Sequence, residues 1–383
     1  MEENLLSEGR GAAAIVGVGT TEQGELPGRS GNEIAVEAFR LALEDAGITK
    51  HEVDALITCR SYGGFGIDTQ IGAMIGLNPR FSATLEYGTC NFSLHLAVMA
   101  IAAGMATTVA LTYGTNQRTQ RRRFSAVADS AGDLEAPYGF VNIAGPAAMA
   151  FRRHQFLYGT TEEQLGAIPV AQRRHAMLNP LAIFKEPLSL EDYLASRYVV
   201  RPLRRPDICM ISDGGACLIV TDRRRVADFR PPPVYILGAA QRTGLRHHRD
   251  PDAFLRPWIK GMSQELFGRA GVARADIDLL YVQDPTSVYV LQALEDYAFC
   301  SVGESGPFAE DGRIQIGGEL PVNTNGGQLS ESYMWGWLHL CEATRQLRGE
   351  CGSRQVAGAR VALYCSYMGY RKAAASVLGS EVP

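Results

Sequence analysis

Apolar residues run along this chain in two alternating rhythms. Short runs such as Ala14-Ile15-Val16-Gly17, Val53-Asp54-Ala55-Leu56-Ile57 and Thr108-Val109-Ala110-Leu111-Thr112 have the length and β-branched content of buried strands. Between them, Asn32 to Asp45 carries a helical pattern that stops at Ala46-Gly47. A second helical pattern, about Asn91 to Ala103, follows the strand Ser82 to Leu85 and a turn at Gly88. This alternation predicts an α/β fold, with sheets covered by helices on both faces.

The order then repeats. Tyr235-Ile236-Leu237-Gly238 precedes a helical pattern closed by Ala270-Gly271-Val272, and Ile277-Asp278-Leu279-Leu280-Tyr281 follows as a strand. The same separation divides Ala46 from Ala270 and Asp54 from Asp278. Farther on, Pro321 to Thr324 reads as a strand, Gly326-Gly327 as a turn and Ser332 to Leu347 as a helix. Arg360 to Tyr364 and Ala373 to Leu378 read as the last two strands. Such repetition implies two duplicated halves, residues 1–230 and 231–383, the second opening at Pro231-Pro232-Pro233. Residues 116–206 are polar and helix-rich, and read as an insertion folded over one face of the first half.

Composition narrows the function. With 383 residues, 46% of them hydrophobic, the chain is globular rather than disordered. A net charge of −4 argues against a dedicated nucleic-acid binder, which needs a basic surface. No run approaches the ~18–20 apolar residues of a membrane span, and the acidic opening Met1-Glu2-Glu3-Asn4 is unlike a secretory leader. The expectation is a cytoplasmic protein. The eight cysteines are scattered without a C-x-x-C pair, and the seven histidines lack metal-ligand spacing, so no metal is expected. Gly17-Val18-Gly19 is not followed by the further glycine of a dinucleotide fingerprint.

Several blocks, taken together, carry a family likeness. They include Ala14-Ile15-Val16-Gly17-Val18-Gly19, Arg174-His175-Ala176-Met177-Leu178-Asn179-Pro180 and Ser212-Asp213-Gly214-Gly215-Ala216. In the second half, Leu294-Glu295-Asp296 and the run from Gly317 to Gly327 join them. Through these the chain resembles the thiolase superfamily, in its sterol-carrier-protein-x and lipid-transfer-protein branch. The resemblance implies a thiolase-like five-layer αβαβα sandwich of two similar halves, usually a homodimer. It also implies an acyl-CoA substrate, with no cofactor beyond that CoA.

Thiolase-type chemistry makes or breaks a carbon–carbon bond next to a thioester. It needs oxyanion donors, a proton acceptor and often a thiol at a helix N-terminus. The matching segment here is Glu86-Tyr87-Gly88-Thr89-Cys90-Asn91. Aligned from the strand side, Thr89 stands on the nucleophile position with Cys90 beside it; aligned from the helix side, through His95-Leu96-Ala97, Tyr87 stands there instead. Cys90 is therefore either a shifted nucleophile or a packing thiol. Where thiolases carry the histidine of a G-H-P motif, this chain has Tyr333. A tyrosine is a poor partner for making a thiolate, but it can donate to an oxyanion or exchange a proton with an alcohol. The acidic-polar motif aligns with Gln283-Asp284-Pro285-Thr286, where Asp284 reads either as a base or as the cap of the helix that follows it. Cys365 stands near the C-terminal acid–base cysteine of thiolases.

These departures resemble the aldolases of the lipid-transfer-protein group, which cleave steroid-CoA side chains by retro-aldol chemistry and work with a small OB-fold companion protein. In that reading Tyr333 and Asp284 move protons, and backbone N–H groups near Gly88, Gly326 and Gly327 hold the enolate, with Gln283 and Thr89 close by. Arg118, Arg121, Arg122 and Arg123 are candidates for the CoA phosphates. The alternatives are an acyltransferase working through Cys90 or Cys365, and a non-catalytic partner subunit of the same fold.

Overall fold

The computed structural model describes residues 10–60, 66–86, 89–122, 142–244, 255–256 and 258–383. The first half runs β1 (Ala13–Thr20), α1 (Gly31–Ala46), β2 (Ala55–Cys59), α2 (Ile67–Ile75), β3 (Phe81–Leu85), α3 (Cys90–Ala102) and β4 (Thr108–Asn116). Then come α4 (Ala144–Tyr158), α5 (Glu162–Met177) and α6 (Leu190–Ala195), with a small hairpin of β5 (Tyr198–Val200) and β6 (Leu203–Arg204). β7 (Asp213–Asp222) closes this half. The second half runs β8 (Val234–Thr243), α7 (Ile259–Ala270), β9 (Leu279–Val282), α8 (Ser287–Asp296), α9 (Ser305–Glu310) and α10 (Gly327–Ser330). It ends with α11 (Trp337–Arg348), β10 (Val361–Met368) and β11 (Lys372–Gly379).

Nine strands pair in the order β3-β2-β4-β7-β1-β8-β11-β10-β9. From the β1/β8 seam outward, each side goes through two antiparallel pairings before turning parallel. The seam itself is short, Ala14 opposite Tyr235 and Ile15 opposite Val234. Because successive strand residues face opposite ways, each half-sheet feeds two cores. Ala55 and Ile57 face a central cluster while Leu56 joins an outer one with α1 and α2. Leu279, Tyr281 and Tyr364 face the same central cluster, whereas Leu280, Val282 and Cys365 face the outer core under α7 and α8. Two helices, α3 and α11, fill the middle. The layers are therefore helices, half-sheet, central helices, half-sheet and helices.

Close approach of α1 explains the early glycines. A Cβ on Gly17 would stand 2.6 Å from the Ala42 carbonyl, and one on Gly19 would overlap the Ala38 carbonyl. Helix-to-strand packing is what Gly17-Val18-Gly19 serves.

Two expected elements differ. Pro321 to Thr324 forms only a single bridge, Val322 to Leu280. Asn323 has φ +50° and turns the chain there. Its side-chain oxygen accepts the Val282 N–H at 2.8 Å, and its Nδ2 donates to the Val282 carbonyl at 3.0 Å, so an amide side chain replaces strand pairing. The helix expected from Ser332 begins at Trp337, because Trp335 (φ +51°) and Gly336 (φ +83°) take left-handed backbone. A Cβ on Gly336 would overlap the Tyr364 hydroxyl. The segment carrying Tyr333 is thereby a loop between α10 and α11.

Gly19→Ala is expected to destabilise the fold by about 1–3 kcal/mol through overpacking against α1. Urea unfolding of the variant and the parent protein measures it.

Candidate active site

The chain leaving β9 delivers Asp284 into the central layer, fully buried. Its Oδ1 accepts two hydrogen bonds, from the Gln328 backbone N–H of α10 at 2.9 Å and from His339 Nε2 of α11 at 3.0 Å. The helix that follows Asp284 in the chain, α8, has Thr286 as its N-cap, so the first of these bonds reaches a different helix, α10. Asp284 Oδ2 has no partner among the described residues. That oxygen lies against Gly327 (φ +63°), where a Cβ would overlap it and stand 2.9 Å from Gln172 Oε1. The side-chain amides of Gln172, from α5, and of Gln328 are buried without partners among the described residues, as are His339 Nδ1 and the Tyr364 hydroxyl. Each such group costs about 1–3 kcal/mol when left unmet. Of these, Asp284 Oδ2 and Gln172 Oε1 converge at Gly327, a grouping that can meet polar atoms of a ligand or water.

Thr89 is the N-cap of α3, yet its hydroxyl does not cap. It donates instead to Ser366 Oγ at 2.8 Å, and both groups are buried. Asn91 Nδ2 reaches the same Ser366 Oγ at 3.1 Å, while its Oδ1 accepts from Ser376 Oγ at 2.6 Å. His95 Nε2 lies 3.0 Å from Ser376 Oγ, and burial pushes the His95 pKa down to about 4. On the strand-side alignment the nucleophile position holds a hydroxyl bonded to a hydroxyl, while Tyr87, which the helix-side alignment puts there, lies outside the described residues. Cys90, next to Thr89, is packed in the central apolar cluster. Burial pushes its thiol well above its ordinary pKa, and the neighbouring thiols Cys341, Cys59 and Cys217 push the same way. Full burial among apolar groups and other thiols therefore works against a thiolate at Cys90. Cys365 is displaced by strand alternation: it faces the outer core beside Tyr297, and burial raises its pKa too. Ser366 takes the inward place.

Tyr333 is almost fully buried on its loop. Its backbone N–H donates to Ser212 Oγ at 2.9 Å, and Ser212 Oγ lies 2.8 Å from Ser332 Oγ. Its ring packs on Trp335 at 5.1 Å between centroids. Two residues before it, Glu331 accepts from Asn179 Nδ2 at 2.7 Å and from the Asn325 amide. Burial pushes the Glu331 carboxyl up to about 7, and Glu342 adds to the rise.

The expected oxyanion donors fare differently. The Gly326 N–H donates to the Asn323 carbonyl at 2.8 Å and the Gly327 N–H to Asn325 Oδ1 at 3.3 Å, so both are already used within the turn. Gln283 Oε1 accepts the Tyr367 N–H at 2.9 Å and ties β9 to β10. Gly88 and Arg123 lie outside the described residues. The Arg118 N–H donates to Asp213 Oδ1 at 2.7 Å, and its guanidinium pairs with Glu25 at 3.5 Å. Arg121 and Arg122 are exposed on the turn after β4. Arg122 lines a cavity of about 330 Å³ with Asn32, Cys59, Ile71 and Gln120, whose described walls include neither Asp284 nor Tyr333.

His339, Gln172, Gln328 and Tyr364 escaped the sequence reading. Gln328 directly follows Gly326-Gly327, and Tyr364 directly precedes Cys365, so adjacency to motif residues was the available signal. For His339 and Gln172 no local pattern points inward.

Two half-sheets around a central pair of helices, with a carboxylate and a tyrosine loop at the G-H-P position, define a protein of the thiolase fold. The chain belongs to the thiolase superfamily, in the branch that includes the steroid side-chain-cleaving aldolases. A family model described as thiolase C-terminal domain-like matches residues 239–380. A steroid side-chain-cleaving aldolase of Thermomonospora curvata is 36% identical over 363 residues, covering 88% of this chain and 91% of that protein. The 17-hydroxy-3-oxo-4-pregnene-20-carboxyl-CoA lyase of Mycobacterium tuberculosis is 36% identical over 358 residues, covering 88% and 92%. The solved Ltp2-ChsH2(DUF35) aldolase superposes with a TM-score of 0.87 at 34% identity, covering 97% of this chain and 98% of that one.

Because Cys90 is buried with its pKa raised, iodoacetamide at pH 8 is expected to leave it unmodified in the native protein and to label it after denaturation. Peptide mass spectrometry reads the difference.

Proposed function

We propose that this chain is a carbon–carbon lyase that cleaves a β-hydroxyacyl-CoA with a bulky, steroid-type side chain by retro-aldol chemistry. The Thr89–Ser366 hydroxyl pair carries the reading, since it occupies the place where acyl transfer would need a thiolate. Retro-aldol cleavage needs no acyl-enzyme. A base takes the proton of the β-hydroxyl, and the oxygen's electrons form a carbonyl as the Cα–Cβ bond breaks. The bond's electrons pass into the thioester as an enolate, which is then protonated at Cα. Asp284 Oδ2 is the base in this assignment, and Tyr333 donates to the enolate and returns the proton. The amides of Gln172 and Gln328 take over the oxyanion role that the Gly326 and Gly327 N–H groups cannot fill.

The companions follow from the same reading. CoA phosphates meet Arg118, Arg121, Arg122 and Arg123, and no cofactor other than the substrate's CoA takes part. A small companion protein with an OB fold is supported by the two-component name of the Ltp2-ChsH2(DUF35) aldolase. A homodimer is supported by β3, which stands at the edge of the sheet and leaves one side of its backbone for a second copy. A cytoplasmic location fits the lack, among the described residues, of any helix long and apolar enough to cross a membrane.

Tyr333→Phe is expected to lower kcat for cleavage of a β-hydroxyacyl-CoA by ~10²–10⁴-fold, with the melting temperature little changed. Iodoacetamide treatment of the native enzyme is expected to leave turnover intact. Mass-spectrometric assay of the released acyl-CoA measures both, and trapping a labelled acyl-enzyme would overturn the reading.

A further inference from the structure

The pairing of His339 with Asp284 goes beyond the motif residues. Asp284 Oδ1 receives Gln328 N–H and His339 Nε2 together, while Oδ2 receives nothing among the described residues. A carboxylate oxygen accepts hydrogen bonds, so the Nε2–H of His339 is the donor of this pair. Nδ1 has no partner among the described residues. The ring is clamped between Tyr281 of β9 and Tyr364 of β10, at 6.3 and 6.1 Å between centroids, which fixes its direction.

We infer that His339 is a positioning residue for the cleavage reaction: its Nε2–H pins Asp284 through Oδ1, so that Oδ2 alone is presented as the proton acceptor. The inference rests on the proposed retro-aldol role of Asp284. Two donors on one oxygen fix the rotation of the carboxylate, and the other oxygen lies where a Cβ on Gly327 would overlap it, so a glycine there keeps that place free of a side chain. A structural role alone would need no such asymmetry, since a carboxylate that only caps α10 would find partners for both oxygens. The titratable groups around the pair are Tyr281 and Tyr364 on the flanking strands, Glu331 on the tyrosine loop, Glu342 on α11 and Cys209 before β7. Glu342 is engaged by Arg354 in two hydrogen bonds of 2.8 Å, and Glu331 by Asn179 and Asn325. That leaves His339 as the hydrogen-bonding side chain that holds Asp284.

The test compares His339→Gln, whose amide Nε2 can still donate, with His339→Leu, which cannot. His339→Leu is expected to lose about 10- to 100-fold in kcat with KM little changed, and the acid limb of its kcat profile moves to higher pH. His339→Gln is expected to restore most of kcat and the parental limb. Histidine ¹⁵N NMR of the unmodified protein gives a readout independent of turnover. It is expected to show a proton on His339 Nε2, with the signal perturbed in Asp284→Asn. Parental kcat and pH profile in a folded His339→Leu would overturn the inference, as would an Nδ1–H tautomer or a Gln variant no better than Leu. If Asp284→Asn turns over normally while the NMR pairing stands, the proton-acceptor reading of Asp284 fails instead.

Discussion

A carboxylate sealed from water has to be satisfied by groups that other segments bring to it, and Asp284 sets that requirement for the centre of this protein. One donor is the backbone of α10 and the other the imidazole of α11, so the segment from Asn323 to His339 has to wrap around the end of β9. Much of the local irregularity follows. Asn323 leaves strand geometry and pairs with Val282 through its side chain, Gly327 takes positive φ to clear Oδ2, and Gly336 takes positive φ to admit the Tyr364 hydroxyl. Each is a cost that a regular strand and helix would have avoided. Together they set the Tyr333 loop between α10 and α11, the two helices whose donors meet Asp284 Oδ1, while Oδ2 has no partner among the described residues.

The other side of the central layer shows how a shared fold supports different chemistry. A helix N-terminus favours an anion, but only for a group that reaches it and is not shut in by apolar packing. Here the N-cap side chain is a threonine bonded to Ser366, and the adjacent thiol is enclosed among other thiols and aliphatic groups. Among the described residues at this end of α3, Thr89 and Cys90 are both fully buried. Breaking a β-hydroxyacyl thioester by proton transfer and oxyanion stabilisation, as proposed, asks for no nucleophile at that helix end.

The polar groups that have partners are as informative as those that lack them. Buried amides at Asn91, Asn179, Asn323 and Asn325 are tied into local networks, and His175 is held between the Asn323 carbonyl and the Ile316 N–H. Burial pushes the pKa of His175 down to about 4, so it is a neutral linker across the physiological range. By contrast, side-chain atoms of Gln172, Gln328 and Asp284 have no partner among the described residues, and Gln172 Oε1 and Asp284 Oδ2 both lie at Gly327.

The sequence by itself determined the layered α/β plan, because strand and helix periods and helix-stopping glycines are local properties that repeat in the second half. It also placed Tyr333 and Asp284, since both sit in recognisable motif frames. Side-chain direction was beyond it. Whether Cys365 or Ser366 faces inward depends on the register of β10, and whether Cys90 meets water depends on what α3 packs against. Gly326 and Gly327 looked like free donors until the turn that uses their N–H groups was in view. His339 and Gln172 reach the site from a helix face and from the insertion, and only the packing of distant segments brings them to Asp284 and Gly327. Hydrogen-bond satisfaction in a buried site is a property of the whole three-dimensional neighbourhood, and no stretch of the chain carries it alone.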